Sequence, residues 1–303
     1  MHVGFDLGGT ALKFGVVNDE GKIISESQVQ TPKNLEKLLQ TLEEIWKNLK
    51  NDFPQVKTVG FGIPGIFGKK EQKILQSPNY PGLDNFALVP ALSRFIDIPF
   101  CVNNDANMAA FGEYRCGAGQ DAHSLVLLTI GTGVGTGIVL KGDIWEGACG
   151  YAGELGHAVV NPNGEPCKCG SQGCLETEVS APKIVKNYQT YSKNRKDITA
   201  EEVSLRAKNN EEAAKQAFAT AGYYLGIGLA LAINLLNPEK ILLGGGVMKA
   251  GELLLTPTMD EAAKRSFKGS FECCSIENAT LGNNAGFIGA ALWSGQQKHY
   301  PKL

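Results

Sequence analysis

VGFDLGGTALKFGVVNDEGK at residues 3–22 and SLVLLTIGTGVGTGIVLKGD at residues 124–143 are built on one plan. In each, an apolar run meets a glycine-rich turn, a second apolar run follows at once, and a polar turn closes the segment. Short apolar runs bounded by Gly, Asn and Asp read as strands, and strands joined by such turns read as an antiparallel meander. The first copy should hold strands at Val3–Asp6, Leu12–Val17 and Lys22–Ser25; the second at Ser124–Ile130 and Gly137–Leu140. A repeat spaced by about 120 residues is a duplicated domain and not a solenoid. Two similar α/β domains are therefore expected, with the boundary between Gly112 and Ala122. The domains would be residues 1–117, completed by a C-terminal helix near 285–303, and residues 118–284. No low-complexity segment or Ser/Gly linker parts them, so structured crossings and a cleft between the domains are expected.

Working outward, Leu35–Leu49 carries helical spacing at Leu35, Leu38, Leu39, Leu42, Ile45, Trp46 and Leu49. Val56–Ile63 is a strand stopped by Pro64-Gly65, and Ser77–Asp84 is a loop rich in Pro, Gly and Asn. A short helix at Val89–Phe95 precedes a buried strand, Phe100–Val102, which ends in Asn103-Asn104-Asp105 and leads to a helix over Ala106–Gly112. Past a cysteine-rich loop come helices at 181–191, 199–208 and 211–236, and a strand at Lys240–Leu243. A helix at Leu253–Ser266, a strand at Ser275–Ala279 and a last helix at Ala285–Trp293 finish the chain. Phe218–Leu236 has no charge and approaches spanning length. Thr220, Gly222, Tyr223, Tyr224, Gly226, Gly228 and Asn234 interrupt it, so a buried core helix is expected instead.

Hydrophobic residues make up 43% of the 303 positions and charged ones 20%, a packed globular balance. The net charge of -2 argues against an electrostatic nucleic-acid surface. The N-terminus lacks the basic and apolar regions of a secretory signal. Of eight Cys, three cluster; the five others, Cys101, Cys116, Cys149, Cys273 and Cys274, cannot all pair. A reducing cytoplasm is expected, with thiols serving metal or packing.

The cluster lies in GELGHAVVNPNGEPCKCGSQGCLE, residues 153–176. His157, Cys167, Cys169 and Cys174 suit one tetrahedral zinc with an imidazole and three thiolates. Three buried thiols and a core His are the plainer alternative. No open coordination position is suggested, so the zinc would be structural. Glu154 and Glu176 bracket the ligands, and ionised carboxylates are pure acceptors suited to adjacent sugar hydroxyls. They could also be surface charges. His157 could ligate with one ring nitrogen and donate to a substrate oxygen with the other.

The two matching Gly turns, and a third at Gly244-Gly245-Gly246, would let backbone N–H groups approach phosphate oxygens. None is a P-loop or a dinucleotide fingerprint. Asp6 ends the first strand beside the first turn and is either a turn former or a carboxylate holding hydrated Mg²⁺. Asp105 is either a helix N-cap or a general base for a substrate hydroxyl. The two need not compete, because Asn104 or Asn103 could cap.

Together, Asp6-Leu-Gly-Gly-Thr10, Asn104-Asp105-Ala-Asn107, Ile130-Gly-Thr-Gly-Val-Gly135, Glu154-Leu-Gly-His157, Cys167-Lys-Cys-Gly-Ser-Gln-Gly-Cys174-Leu-Glu176 and Leu243-Gly-Gly-Gly-Val247 resemble the ROK family, and within it the bacterial glucokinase-like sugar kinases. The resemblance runs from residue 3 to about residue 292. It implies an actin-like, ribonuclease-H-like two-domain α/β fold, ATP and Mg²⁺, and phosphoryl transfer to a hexose. It makes Asp105 the catalytic base and gives the sugar hydroxyls to Gly65, Asn79, Asn104, Glu154, His157 and Glu176. Gly8, Gly9, Thr10, Thr132 and Gly133 would line the phosphates, with Asp6, Lys13 and Gly131 on the same nucleotide side. Gly245, Gly246 and Val247 would border the adenosine, and His157, Cys167, Cys169 and Cys174 would bind zinc. Homodimers or homotetramers are expected. One departure stands out: an aromatic residue and then Ser-Gly often follow the position of Glu176, where this chain has Thr177-Glu178-Val179-Ser180-Ala181.

Glucose is the expected hexose, because Ser77-Pro78-Asn79-Tyr80-Pro81-Gly82 is similar to the glucokinase form of that loop. N-acetylglucosamine, N-acetylmannosamine, mannose and fructose are the alternatives. A sugar-responsive regulator is a further one, but it would need a DNA-binding segment ahead of Val3, where the first strand already starts.

Overall fold

The structure, a computed structural model, describes residues 1–77, 80–193 and 197–296. Two compact units emerge: Met1–Asp121 with Gly137–Ala152 and the chain from Thr280 onward, and Ala122–Thr136 with Gly153–Ala279.

In the first unit, β1 (His2–Leu7), β2 (Ala11–Val17) and β3 (Ile23–Gln30) form the antiparallel meander that the opening stretch predicts. β3 runs past the expected end at Ser25. Residues 26–30 are exposed, so no apolar alternation marks them, and pairing as far as Ala11↔Gln30 holds them. Helix α1 (Leu35–Asp52) starts where the Asn34 side chain accepts the Lys37 N–H, and it buries Leu38, Leu42, Ile45, Trp46 and Leu49 against the sheet core. Then come β4 (Thr58–Ile63), a hairpin of β5 (Ile66–Gly68) and β6 (Lys73–Gln76), α2 (Leu88–Leu92), β7 (Phe100–Asn104) and α3 (Asp105–Cys116). The sheet order is β3-β2-β1-β4-β7, with β1, β4 and β7 parallel. The β5–β6 hairpin was not expected; its strands are three and four residues long and too brief to show a period.

The second sheet holds β8 (Ser124–Ile130), β9 (Val134–Leu140) and β10 (Asp143–Ile144). Helices α4 (Leu175–Val179), α5 (Ala181–Ser192), α6 (Ala200–Lys208) and α7 (Glu212–Leu236) follow, then β11 (Lys240–Gly244), α8 (Glu252–Arg265), α9 (Lys268–Glu272) and β12 (Ser275–Asn278). Its order, β10-β9-β8-β11-β12, repeats the order of the first sheet strand for strand. α7 has the length and composition to cross a membrane. Its glycines instead press it into the core of its unit: a Cβ at Gly222 would strike Pro257, one at Gly226 the α8 backbone at Thr258, and one at Gly228 Leu175.

The last helix, α10 (Ala285–Ser294), is buried along its whole length in the first unit, where Phe287, Ile288, Leu292 and Trp293 join Met108 and Phe111 of α3. Gly4 of β1 and Gly60 of β4 lie under the Phe287 and Ala290 carbonyls, where any Cβ would collide. α3 continues past Gly112, the expected stop, for the same reason. Gly112 faces the Ala285 carbonyl and Gly289, so it is a point of helix contact and not a helix end.

Candidate active site

In the first unit, β1 ends near one acid, Asp6, and β7, which lies beyond β4 in the sheet, leads into another, Asp105 at the start of α3. Asn104 is the N-cap of α3: its Oδ1 accepts the N–H groups of Ala106 at 2.8 Å and Asn107 at 3.1 Å. Capping is thus done by the Asn, as the sequence allowed, and Asp105 occupies the first helical position, partly buried. The Asp105 Oδ1 accepts from Ala106 N at 2.9 Å, which fixes its orientation. The Asn104 amide donates to Gly65 O at 3.1 Å and so joins two of the residues assigned to the sugar. Gly65 adopts φ +113, and its turn is pinned by buried Ser77, whose hydroxyl donates to Pro64 O at 2.7 Å. Asn79 lies outside the described residues.

A support that the sequence did not reveal sits behind Asp105. Buried Asn103 accepts from Asn104 N at 2.7 Å and from the Asn107 amide at 3.1 Å, and donates to Glu146 Oε1 at 3.0 Å. Glu146 pairs with Lys69, whose ammonium lies 5.3 Å from the Trp293 ring centroid.

Asp6, at the end of β1, pairs across the ladder with Lys13. Its carboxylate lies against the first turn of α10, where a side chain on Gly286 would displace it. Burial pushes the Asp6 carboxyl up to about 6, and the Lys13 charge works against that rise. Lys13 itself donates to Asn283 O at 3.1 Å, and Lys33 donates to Gly9 O at 2.5 Å. A Cβ at Gly9 would meet nothing within 4 Å.

The second unit carries the metal-type cluster. The ligand atoms of His157, Cys167, Cys169 and Cys174 all lie within 4.8 Å of one another. The Cys169 and Cys174 sulfurs are 3.6 Å apart, and Cys167 Sγ is 3.6 Å from His157 Nδ1. Tetrahedral zinc–thiolate bonds of about 2.3 Å give sulfur–sulfur edges of about 3.8 Å, so the four donors fit zinc. Burial and the neighbouring thiols push Cys174 up to about 12, and burial raises Cys167, while the Ser171 backbone lowers Cys169. A divalent cation reverses the preference for protonated thiols. With Nδ1 turned to the sulfurs, His157 Nε2 points to Glu154, 3.8 Å from its Oε2. Burial raises the Glu154 carboxyl, the His157 ring opposes that rise, and Glu176 adds to it.

Glu176 sits on α4, which was not expected; a five-residue helix has no period to read and begins directly after Cys174. Its Oε2 accepts the Val134 N–H at 2.9 Å and fills the space that a Cβ on Gly133 would need. The other end of that glycine turn, Gly131 and Thr132, borders a cavity of about 360 Å³. Gly246, Val247, Lys249 and Ala250 line its second wall, and Glu201, Ser204, Leu205 and Lys208 of α6 its third. At Gly131 and Gly246 an added Cβ would meet no protein atom within 4 Å. Gly245, by contrast, has φ +90 and lies against Ile130, so its glycine serves the fold. The α6 lining was missed because an amphipathic helix does not announce what its half-exposed face covers.

Residues 2–297 match the ROK family. The chain is similar to a glucokinase of Halalkalibacterium halodurans, 34% identical over 317 residues that cover 98% of this chain and 96% of the relative. It is similar to the crystal structure of a ROK family glucokinase from Streptomyces griseus in complex with glucose and AMPPNP. The TM-score is 0.84 at 32% identity, covering 98% of this chain and 99% of the other. It is also similar to a ROK family transcriptional regulator, a homologue of the E. coli MLC protein, with TM-score 0.86 and 27% identity. That match covers 97% of this chain and 77% of the regulator. One fold thus serves kinases and a regulator, and function has to be argued from the site.

Proposed function

The chain belongs to the ROK family and has its actin-like α/β fold, and from that premise we propose that it is a glucokinase, transferring the γ-phosphoryl group of ATP to glucose to give glucose 6-phosphate. The observation that carries this reading is the turn Gly131–Val134. One end borders a cavity of about 360 Å³, which we assign to the nucleotide, and the other donates the Val134 N–H to Glu176, the carboxylate we assign to sugar hydroxyls. Donor and acceptor are then registered by four consecutive residues.

Phosphoryl transfer asks little covalent chemistry of a protein and much positioning. Asp105 accepts the proton of the attacking hydroxyl as the new oxygen–phosphorus bond forms and the bond to ADP breaks. Its backbone-anchored Oδ1 and the Asn103–Glu146 support hold it for that task. Gly65, Asn79, Asn104, Glu154, His157 and Glu176 hold the sugar, with His157 Nε2 as donor and the carboxylates as acceptors. Gly8, Gly9, Thr10, Thr132 and Gly133 receive the phosphates, and Gly245, Gly246 and Val247 with α6 receive the adenosine. Asp6, with Lys13 nearby, would hold Mg²⁺, which neutralises phosphate charge when bound. Zinc held by His157, Cys167, Cys169 and Cys174 would be structural, since four protein ligands would leave no open position for a substrate. We place the enzyme in the cytoplasm, as a homodimer or homotetramer, with residues 1–117, completed by the C-terminal helix near 285–303, and residues 118–284 as its functional domains.

The test is ADP release with glucose, mannose, fructose, N-acetylglucosamine and N-acetylmannosamine in turn. Highest kcat/KM for glucose is expected. Preference for an N-acetylhexosamine would reassign the substrate, and ADP release indifferent to every sugar would remove the kinase reading.

A further inference from the structure

Glu178 is buried to 2% side-chain exposure, two residues past Glu176 on the same short helix. A desolvated carboxylate is costly unless it is paired and hydrogen-bonded. Glu178 Oε1 accepts from the Asn161 amide at 3.0 Å, and Glu178 Oε2 lies 3.6 Å from Lys183 Nζ on α5. The Lys183 ammonium is 2.7 Å from Glu165 Oε1, and Lys186 reaches Glu165 Oε2, also at 2.7 Å. Asn161 and Glu165 belong to the loop that carries the cysteines. Gly164 of that loop passes so close that a Cβ there would strike Glu178 Oε1.

α4 is too short to hold itself as a helix. Cys174 anchors its N-terminal end, and the Glu178–Lys183–Glu165 cluster anchors its C-terminal end to the loop and to α5. Glu176 lies between these anchors. An apolar side chain at position 178 would fill the same space without the desolvation cost, but it would not dictate one register.

We propose that Glu178 and Lys183 are positioning residues for the sugar site, a fastening independent of the metal that fixes Glu176 against the Gly131–Val134 turn. The inference rests on the glucokinase reading. Lys183→Met alone strands a buried charge, so the decisive variant is the double replacement Glu178→Leu with Lys183→Met, which removes both charges. Glucose KM, ATP KM, calorimetric glucose Kd and bound zinc are measured on the wild type, the double variant and Lys183→Arg. The double variant should raise glucose KM and Kd about tenfold and leave ATP KM within about twofold and zinc at wild-type content. Lys183→Arg should restore glucose KM. Glucose KM within about twofold of wild type overturns the proposal, as does a rise matched by zinc loss or by an equal rise in ATP KM, the signs of general loosening. A wild type that neither binds nor phosphorylates glucose would instead defeat the glucokinase reading, so the two failures are distinguishable.

Discussion

Replacing Asp6 by Asn should make the protein more stable and catalytically useless at once. The Asp6 carboxyl is raised by burial from 3.8 to about 6. A carboxylate whose folded value is raised destabilises the fold where it is ionised. The folded state keeps its proton longer, so stability is full below about pH 4 and is lost as pH climbs from there through about 6. A pKa raised by about 2, at about 1.36 kcal/mol for each step of one, makes the loss about 3 kcal/mol above pH 7. The first turn of α10 beside the carboxylate returns a part, up to about 1 kcal/mol. The amide cannot ionise, so Asp6→Asn should gain about 2 kcal/mol at pH 7.5, about 3 °C in Tm for a chain of this size, and roughly half of that at pH 5. Thermal unfolding of both proteins at the two pH values reads this directly, and kcat should fall at least a hundredfold if Asp6 organises the nucleotide's metal. A variant less stable than wild type, by the same amount at both pH values, would mean that the carboxylate is satisfied in the fold and the reasoning is wrong.

Gly131→Ala meets no protein atom. Its Tm should stay within about 1 °C while ATP KM rises about tenfold, because the methyl group faces phosphate; a fall in Tm with ATP KM unchanged would return that glycine to the fold. Cys169→Ser should lose zinc and raise glucose KM about tenfold with ATP KM little changed, as read by metal analysis and steady-state kinetics; an unchanged glucose KM in a folded, zinc-free variant would detach the metal from the sugar site. Val247→Trp should fill the cavity of about 360 Å³ and raise ATP KM by at least about tenfold while calorimetric glucose affinity holds.

Features written in local pattern were legible. Two glycine turns after apolar runs led to two sheets of one strand order. The spacing of His157, Cys167, Cys169 and Cys174 led to four donors in one place, and Asn104 ahead of Asp105 led to the observed cap. Features set by long-range contact were not. β3 extends through polar residues because a neighbouring strand pairs with them. Gly112 reads as a stop until the Ala285 carbonyl beside it is known. Ser204 and Leu205 look like any amphipathic helix until Gly131 and Val247 are set opposite them, and Glu178 looks like a surface charge until Lys183 and Asn161 close on it.

The central claim is proton removal by one carboxylate during phosphoryl transfer, and Asp105→Ala tests it most directly. With radiolabelled ATP and saturating glucose, the rate of label transfer to the sugar should fall about 10³-fold or more, while calorimetry finds glucose bound within about threefold of wild type. Transfer at the wild-type rate by a folded Asp105→Ala protein would contradict the account.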